Sequence, residues 1–174
     1  MVRSYRGLKE KKKRVMIDSD IFLQILKDQE KKKECEFELE GIKGHDMGYV
    51  TFLILGEIWK GLEEEFINIK KDTDNFTNAE EGEKSRKEQF LRIIDNLRDL
   101  LSKIKFLPVN KKALKITKEL IEEDSGLRMG FQDRVNVATA IANECTYFLE
   151  IEKNIKEDEA TLRKKGYKIK IKQI

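Results

Sequence analysis

The segment Arg14-Val-Met-Ile-Asp18-Ser-Asp20-Ile-Phe-Leu23 does most to restrict the fold of this chain. Three apolar residues follow a basic run, stop at a carboxylate and hand over to a segment of helical periodicity. An apolar run bounded in this way reads as a buried strand, with Ser19 or Asp20 placed to cap the helix behind it. Asp18 then stands at the carboxyl end of a strand, the edge where open α/β sheets bind ligands. Taken alone, an Asp at such a position is better explained as a turn or capping residue.

Three further acids change that balance. Glu57 interrupts the apolar stretch Tyr49-Val-Thr-Phe-Leu-Ile-Leu-Gly-Glu57-Ile-Trp59, in the second turn of a helix that Thr51 can cap. Asp133 falls in the first turn of a helix rich in small residues, Asp133-Arg-Val-Asn-Val-Ala-Thr-Ala-Ile141. Glu152 follows the apolar run Tyr147-Phe-Leu149, just past another strand end. Acidity alone says little, because 33 of 174 residues are Asp or Glu. Placement says more, since a carboxylate beside buried surface is costly unless it is paired or holds a cation. Oxygen donors without His or Cys form a hard site that selects magnesium or manganese over zinc.

The remaining chain alternates strands and helices, which calls for a parallel sheet with right-handed crossovers. Helices are expected from Ile21 to about Gln29, Thr51 to about Phe66, through Phe90–Ile104, from Asn110 onward, over 133–143 and over 157–165. Short strands are expected at 45–50, 105–109, 147–150 and 167–172. The stretch 30–40 is too charged to assign, and 68–83 reads as an exposed loop or a frayed helix start. Ala113, Leu114, Ile116, Leu120 and Ile121 form the expected apolar face of the helix that Asn110 caps, and Asp124-Ser-Gly126 ends it. In the last strand Tyr167, Ile169 and Ile171 alternate with three lysines, which suits an edge with one buried face.

The order strand-Asp-Ser-Asp, apolar-Gly-Glu, Asp-x-x-x-x-Ala-x-Ala, apolar strand-x-x-Glu resembles the PIN-domain nucleases, which include the VapC-type toxins of toxin–antitoxin pairs. The resemblance runs from Val15 to the C-terminus. Asp18 matches the family's first catalytic Asp, Ser19 its Thr or Ser, Glu57 the helix Glu, Asp133 the Asp opening the Ala-rich helix, and Glu152 the variable last acid. Three positions depart from the pattern. Asp20 stands where Asn is common, Glu150 where Thr or Ser is common, and Glu152 replaces Asp. The resemblance implies an α/β fold, a three-layer α/β/α sandwich around a parallel sheet of about five strands. One nuclease domain would then fill residues 1–174, with a basic segment at 1–13. It also implies a metal-dependent ribonuclease holding Mg2+ or Mn2+ through Asp18, Glu57, Asp133 and Glu152, with Asp20 and Glu150 as further candidate ligands. RNA is the implied substrate, with an antitoxin protein as a candidate partner.

Composition adds constraints. Charged residues make up 40% of the chain, with a single Pro, a composition associated with proteins from hot environments. The net charge of +3 is a weak pointer to nucleic acid, but Lys9 and Lys11 to Arg14 cluster and are expected to attract phosphate. Cys35 and Cys145 are isolated, so neither a disulfide framework nor a zinc ribbon is supported. His45, the single histidine, reads as a surface loop residue, and no nucleophile elbow accompanies it. There is no membrane-length apolar run and no signal-peptide core, so a cytoplasmic location is expected. Trp59, Phe66 and Ile67 suggest an apolar patch for a homodimer or higher oligomer. Two other readings compete. One is a PIN-like scaffold with a decayed site that binds RNA or a partner protein without cleavage. The other is a phosphotransfer receiver, disfavoured because 105–109 carries no Asp.

Overall fold

The apolar runs form five strands and the amphipathic segments fold over them. The computed structural model describes residues 12–73, 79–122, 126–151 and 153–174. In chain order the elements are β1 (Arg14–Ile17), α1 (Ser19–Leu26), α2 (Lys32–His45), β2 (Met47–Val50), α3 (Phe52–Thr73), α4 (Ala79–Leu101), β3 (Lys105–Phe106), α5 (Lys111–Glu122), α6 (Phe131–Ala142), β4 (Tyr147–Glu150), α7 (Lys153–Lys164) and β5 (Lys170–Gln173). All strand pairs are parallel, in the order β3-β2-β1-β4-β5. This is the three-layer α/β/α arrangement expected from the sequence.

The strand order explains where a site can form. From β1 the chain steps outward through β2 to β3, then crosses back to β4 on the other side of β1 and ends at β5. With right-handed crossovers, that reversal sends the first four helices to one face and α5–α7 to the other. Helix packing agrees: α1 lies against α2, α3 and α4, and α5 lies against α6. The reversal falls between β1 and β4, so a crevice opens at their carboxyl ends.

Met16, Ile17, Phe22, Val50, Ile54, Leu62, Phe148 and Leu149 sit at the centre of the core, fully buried. Strands buried on both faces need continuous apolar runs, which is why Val-Met-Ile and Tyr-Phe-Leu stand out in the sequence. Two glycines permit close approach. A Cβ on Gly48 in β2 would lie 2.6 Å from Ile104, 3.0 Å from Ile17 and 3.1 Å from Ile42. A Cβ on Gly61 would lie 2.6 Å from Leu23, so its absence lets α3 settle against α1.

Several expectations are corrected. The stretch 30–40 is mostly helix, because Cys35, Leu39 and Ile42 bury one stripe of α2 despite its Lys and Glu content. His45 is exposed in the last turn of that helix rather than in a loop. Most of 68–83 is helical, with 74–78 outside the described residues. Leu114 and Ile121 are exposed, and the buried face of α5 is Ala113, Ile116, Thr117 and Leu120. The strand at 105–109 shrinks to two residues, and Pro108 lies beyond it. β5 begins at Lys170, so Tyr167 precedes it and donates its hydroxyl to Glu119 at 2.6 Å. Asp124 and Ser125 lie outside the described residues, while Gly126 has φ +64, the left-handed backbone expected just past a helix end.

The basic run is only partly described. Lys9 and Lys11 lie outside the described residues. Lys12 and Lys13 precede β1 and so occupy the amino edge, a strand length from Asp18. Lys13 lies over the half-buried Tyr147 ring at 5.5 Å and Arg14 over the buried Tyr49 ring at 4.7 Å, both cation–π contacts. Among the described residues no helix is long and apolar enough to cross a membrane.

Gly48→Ala should destabilise the protein by about 1–3 kcal/mol, because three core side chains must shift at once. Urea unfolding monitored by circular dichroism would show a lowered midpoint at unchanged slope. An unchanged midpoint would mean that the β2 backbone has slack.

Candidate active site

Asp18 occupies the N-cap position of α1, which corrects the assignment of that cap to Ser19 or Asp20. Its side chain makes no capping hydrogen bond into the helix. Its backbone amide donates to Leu149 O at 3.0 Å, tying the end of β1 to the end of β4. Only 6% of Asp18 is exposed. Burial pushes its carboxyl well above the usual carboxylate range, and the charges of Asp20, Glu57 and Asp133 push the same way. The adjacent Ser19 amide opposes the shift. Four acids, separated by up to 115 positions (133 − 18), therefore lie within electrostatic reach of one another.

Glu57 is carried over this edge by α3. Thr51 caps that helix, accepting the Ile54 amide at Oγ1 over 3.1 Å. Glu57 is one turn before Gly61, the residue that admits α1, so it faces the start of α1. Burial raises the Glu57 carboxyl, a hydrogen bond from Ser19 opposes the rise, and Asp133 and Asp20 add to it. Its Oε2 is buried without a hydrogen-bond partner. Asp20, in the first turn of α1, is raised by burial, with Lys27 pulling it down.

Asp133 arrives from the opposite layer. Gly130 caps α6 and has no side chain to contribute, so only the return half of a capping box forms: Asp133 Oδ2 accepts the Gly130 amide at 3.0 Å. Burial raises the Asp133 carboxyl, the Gly130 bond opposes this, and Asp20 reinforces it.

The remaining candidates lie around β4. Glu150 closes that strand and is completely buried. The register pairs Ile17 with Leu149, so Glu150 is the backbone neighbour of Asp18. Glu152 lies outside the described residues. Among those residues, no three Asp, Glu, His or Cys side chains are drawn up closely enough to hold a metal ion as they stand. The donors nevertheless suit a hard divalent cation in kind, being carboxylates, one of which has an unsatisfied buried oxygen.

Three supporting residues escaped the sequence reading. Asn136, one turn after Asp133, is fully buried and accepts from Thr51 Oγ1 at 3.1 Å, so the starts of α3 and α6 are latched across the sheet edge. Asp158 of α7 is buried and accepts the amides of Arg128 at 2.8 Å and Met129 at 2.8 Å. Arg134 donates to the carbonyls of Met129, Leu120 and Leu127 at 3.1, 3.1 and 3.2 Å. These two side chains fix the loop that presents Asp133. A polar residue flanked by Val135 and Val137 was the signal for Asn136. Asp158 gave none, because it stands among the charged residues Lys156, Glu157 and Glu159.

A family model described as PIN domain matches residues 15–160. None of the curated proteins is significantly similar in sequence. Among solved structures, the crystal structure of VapBC2 from Rickettsia felis bound to a DNA fragment from their promoter is similar at 13% identity, with a TM-score of 0.54. The match covers 92% of this chain and 98% of that one. At that identity the likeness concerns the fold.

Raised carboxyls bind protons more tightly in the folded than in the unfolded chain. Their contribution to stability is full below the ordinary values near 4 and is lost as pH rises toward the raised values. Melting in chelator should show the wild type losing stability over that window. Asp18→Asn should lose less, and should melt higher than wild type at pH 8. Equal pH profiles for the two proteins would show that Asp18 is not under strain. Asp158→Ala should cost about 1–3 kcal/mol by stranding the loop amides, read as a lowered urea midpoint.

Proposed function

Because the chain belongs to the PIN domain family, we propose that its acidic sheet edge hydrolyses RNA phosphodiester bonds with the help of a divalent metal ion. The observation that carries this reading is the convergence of Asp18, Asp20, Glu57 and Asp133 at one strand end, each with a carboxyl raised by burial. A fold does not retain four stressed carboxylates in one place for stability, since removing one would relieve the others. Magnesium or manganese, when bound, supplies charge neutralisation, water activation and Lewis-acid stabilisation of the phosphate.

The side chains divide the work. Asp18, at the end of β1, and Asp133, in the first turn of α6, would hold the cation between them. Glu57 completes the shell or orients the attacking water through its unsatisfied oxygen, and the Ser19 hydroxyl fixes its rotamer. Asp20 adds negative potential and serves as a further ligand. Glu152, or Glu150 in its place, closes the site from β4. RNA as substrate, and an antitoxin as partner, rest on the family resemblance; the Rickettsia felis VapBC2 assembly is consistent with a partnered toxin. Self-association is proposed through Trp59 and Ile67, both exposed on α3. Phe66 is half-buried and packs edge-on against Phe90 at 4.8 Å, so it contributes less to that patch.

A second reading keeps the fold and drops the chemistry: a module that binds RNA or a partner without cutting. It is favoured by the absence, among the described residues, of a ready-made coordination shell.

Purified protein should cleave single-stranded RNA in magnesium or manganese and stop on chelation. Asp18→Asn should reduce cleavage to background, and Glu152→Gln should cost less. Ser19→Ala removes a hydrogen bond to a charged group, worth about 1.5–3 kcal/mol, and should slow cleavage about tenfold or more. Equal cleavage by wild type and Asp18→Asn would identify a contaminant. Binding of RNA without cleavage in either metal would establish the second reading. Sedimentation showing monomer alone at high concentration would remove the oligomer.

A further inference from the structure

Large aromatic side chains seldom stand mostly in solvent on a folded surface. Among the described residues Phe37, Phe52 and Phe131 do so, and Trp59 and Phe106 are exposed over nearly half of their surface. Three of them mark the carboxyl edge of the sheet, around the acids. Phe52 opens α3, directly after the end of β2, and is 71% exposed. Phe106 closes β3, in register with Val50, and is 42% exposed. Phe131 opens α6, two residues before Asp133, and is 69% exposed. Phe52 and Phe106 are already stacked, ring centroids 5.1 Å apart and planes 22° from parallel.

We propose that Phe52 and Phe106 form a base-stacking platform for single-stranded RNA, with Phe131 as a second contact on the far side of the acids; this rests on the nuclease reading above. The distances suit an RNA strand. β3 lies two strands from β1, about 10 Å at the spacing of a sheet. That is about three steps of a stacked strand at about 3.4 Å each. A chain with its scissile phosphate at Asp18 would therefore lay a base two or three positions away on the Phe pair. Its other arm would pass Phe131. The exposed Lys60, two turns along α3 from Phe52, and the exposed Lys105, on the edge strand β3, offer phosphate contacts beside the platform. Between Phe52 and Lys60 lies Gly56, exposed and with open space where a Cβ would be. The strip thus combines rings, bare backbone and cations, the usual makeup of single-strand grooves. A duplex keeps its bases inside the stack and cannot use such a platform, so the proposal also predicts a preference for unpaired RNA.

The test uses the full chain carrying Asp18→Asn, so that RNA is bound and not cut. Anisotropy would be measured with three labelled probes of equal length: an unpaired oligouridylate, the same backbone with abasic sites, and a duplex. The oligouridylate should bind tighter than the abasic probe. Phe52→Ala with Phe106→Ala should weaken oligouridylate binding about tenfold or more, as expected for lost base stacking. It should leave abasic and duplex binding unchanged and so erase the preference. Phe106→Leu keeps an apolar surface without a π face, and should lose part of the preference while keeping the wild-type melting temperature. Equal binding of base-bearing and abasic probes, or an Ala pair that binds oligouridylate as tightly as its parent, would overturn the platform. Unchanged RNA binding together with lost self-association would also overturn it, and would give the rings to a protein contact. Cleavage by the otherwise wild-type chain is measured separately. Metal-dependent cleavage with no base preference would end the platform and leave the nuclease standing. A ring-dependent preference without cleavage would do the reverse.

Discussion

Like charges brought together under partial burial repel one another, and most of what is distinctive in this molecule works against that repulsion. Asp18 is fixed by the backbone where β1 meets β4, Glu57 by a helix held against α1, and Asp133 by a loop clamped from below. None of these supports neutralises the charges. They hold backbone positions and leave the carboxyls raised. Such a scaffold stores unfavourable electrostatic free energy that a cation can release, so metal binding and stability are linked at the site.

The layered fold makes this arrangement available. Two acids arrive on helices from opposite faces of the sheet, and the Thr51–Asn136 hydrogen bond joins those helices where they meet. Both partners are fully buried. The α1–α3 contact does comparable work on one side: with no side chain at Gly61, Leu23 fills the gap and Glu57 is held toward Ser19.

The parts legible in the sequence were those set by local periodicity. Val15–Ile17 and Tyr147–Leu149 are apolar without interruption because both faces of those strands are covered, and that pattern needs no tertiary knowledge. Asp18 could be singled out because it ends such a run, Glu57 because it interrupts an apolar helical stretch, and Asp133 because it opens a helix rich in small residues. The helix α2 was missed because its apolar stripe is only three residues deep in a background of Lys and Glu. Lys12 and Lys13 are close to Asp18 in sequence, yet a whole strand lies between them and it. Asp158 was invisible for a related reason. Its partners, the amides of Arg128 and Met129, are backbone groups 30 and 29 positions away and leave no mark on residue type.

Asp158 also gives the molecule a history during its synthesis. Asp18, Glu57 and Asp133 all precede β4 in the chain, yet the clamp on the Asp133 loop belongs to α7, which follows it. A ribosome makes the N-terminal elements first. The nascent chain therefore carries its acids for some time without the geometry that unites them. The loop that presents Asp133 is clamped, and the acidic edge completed, only when α7 arrives.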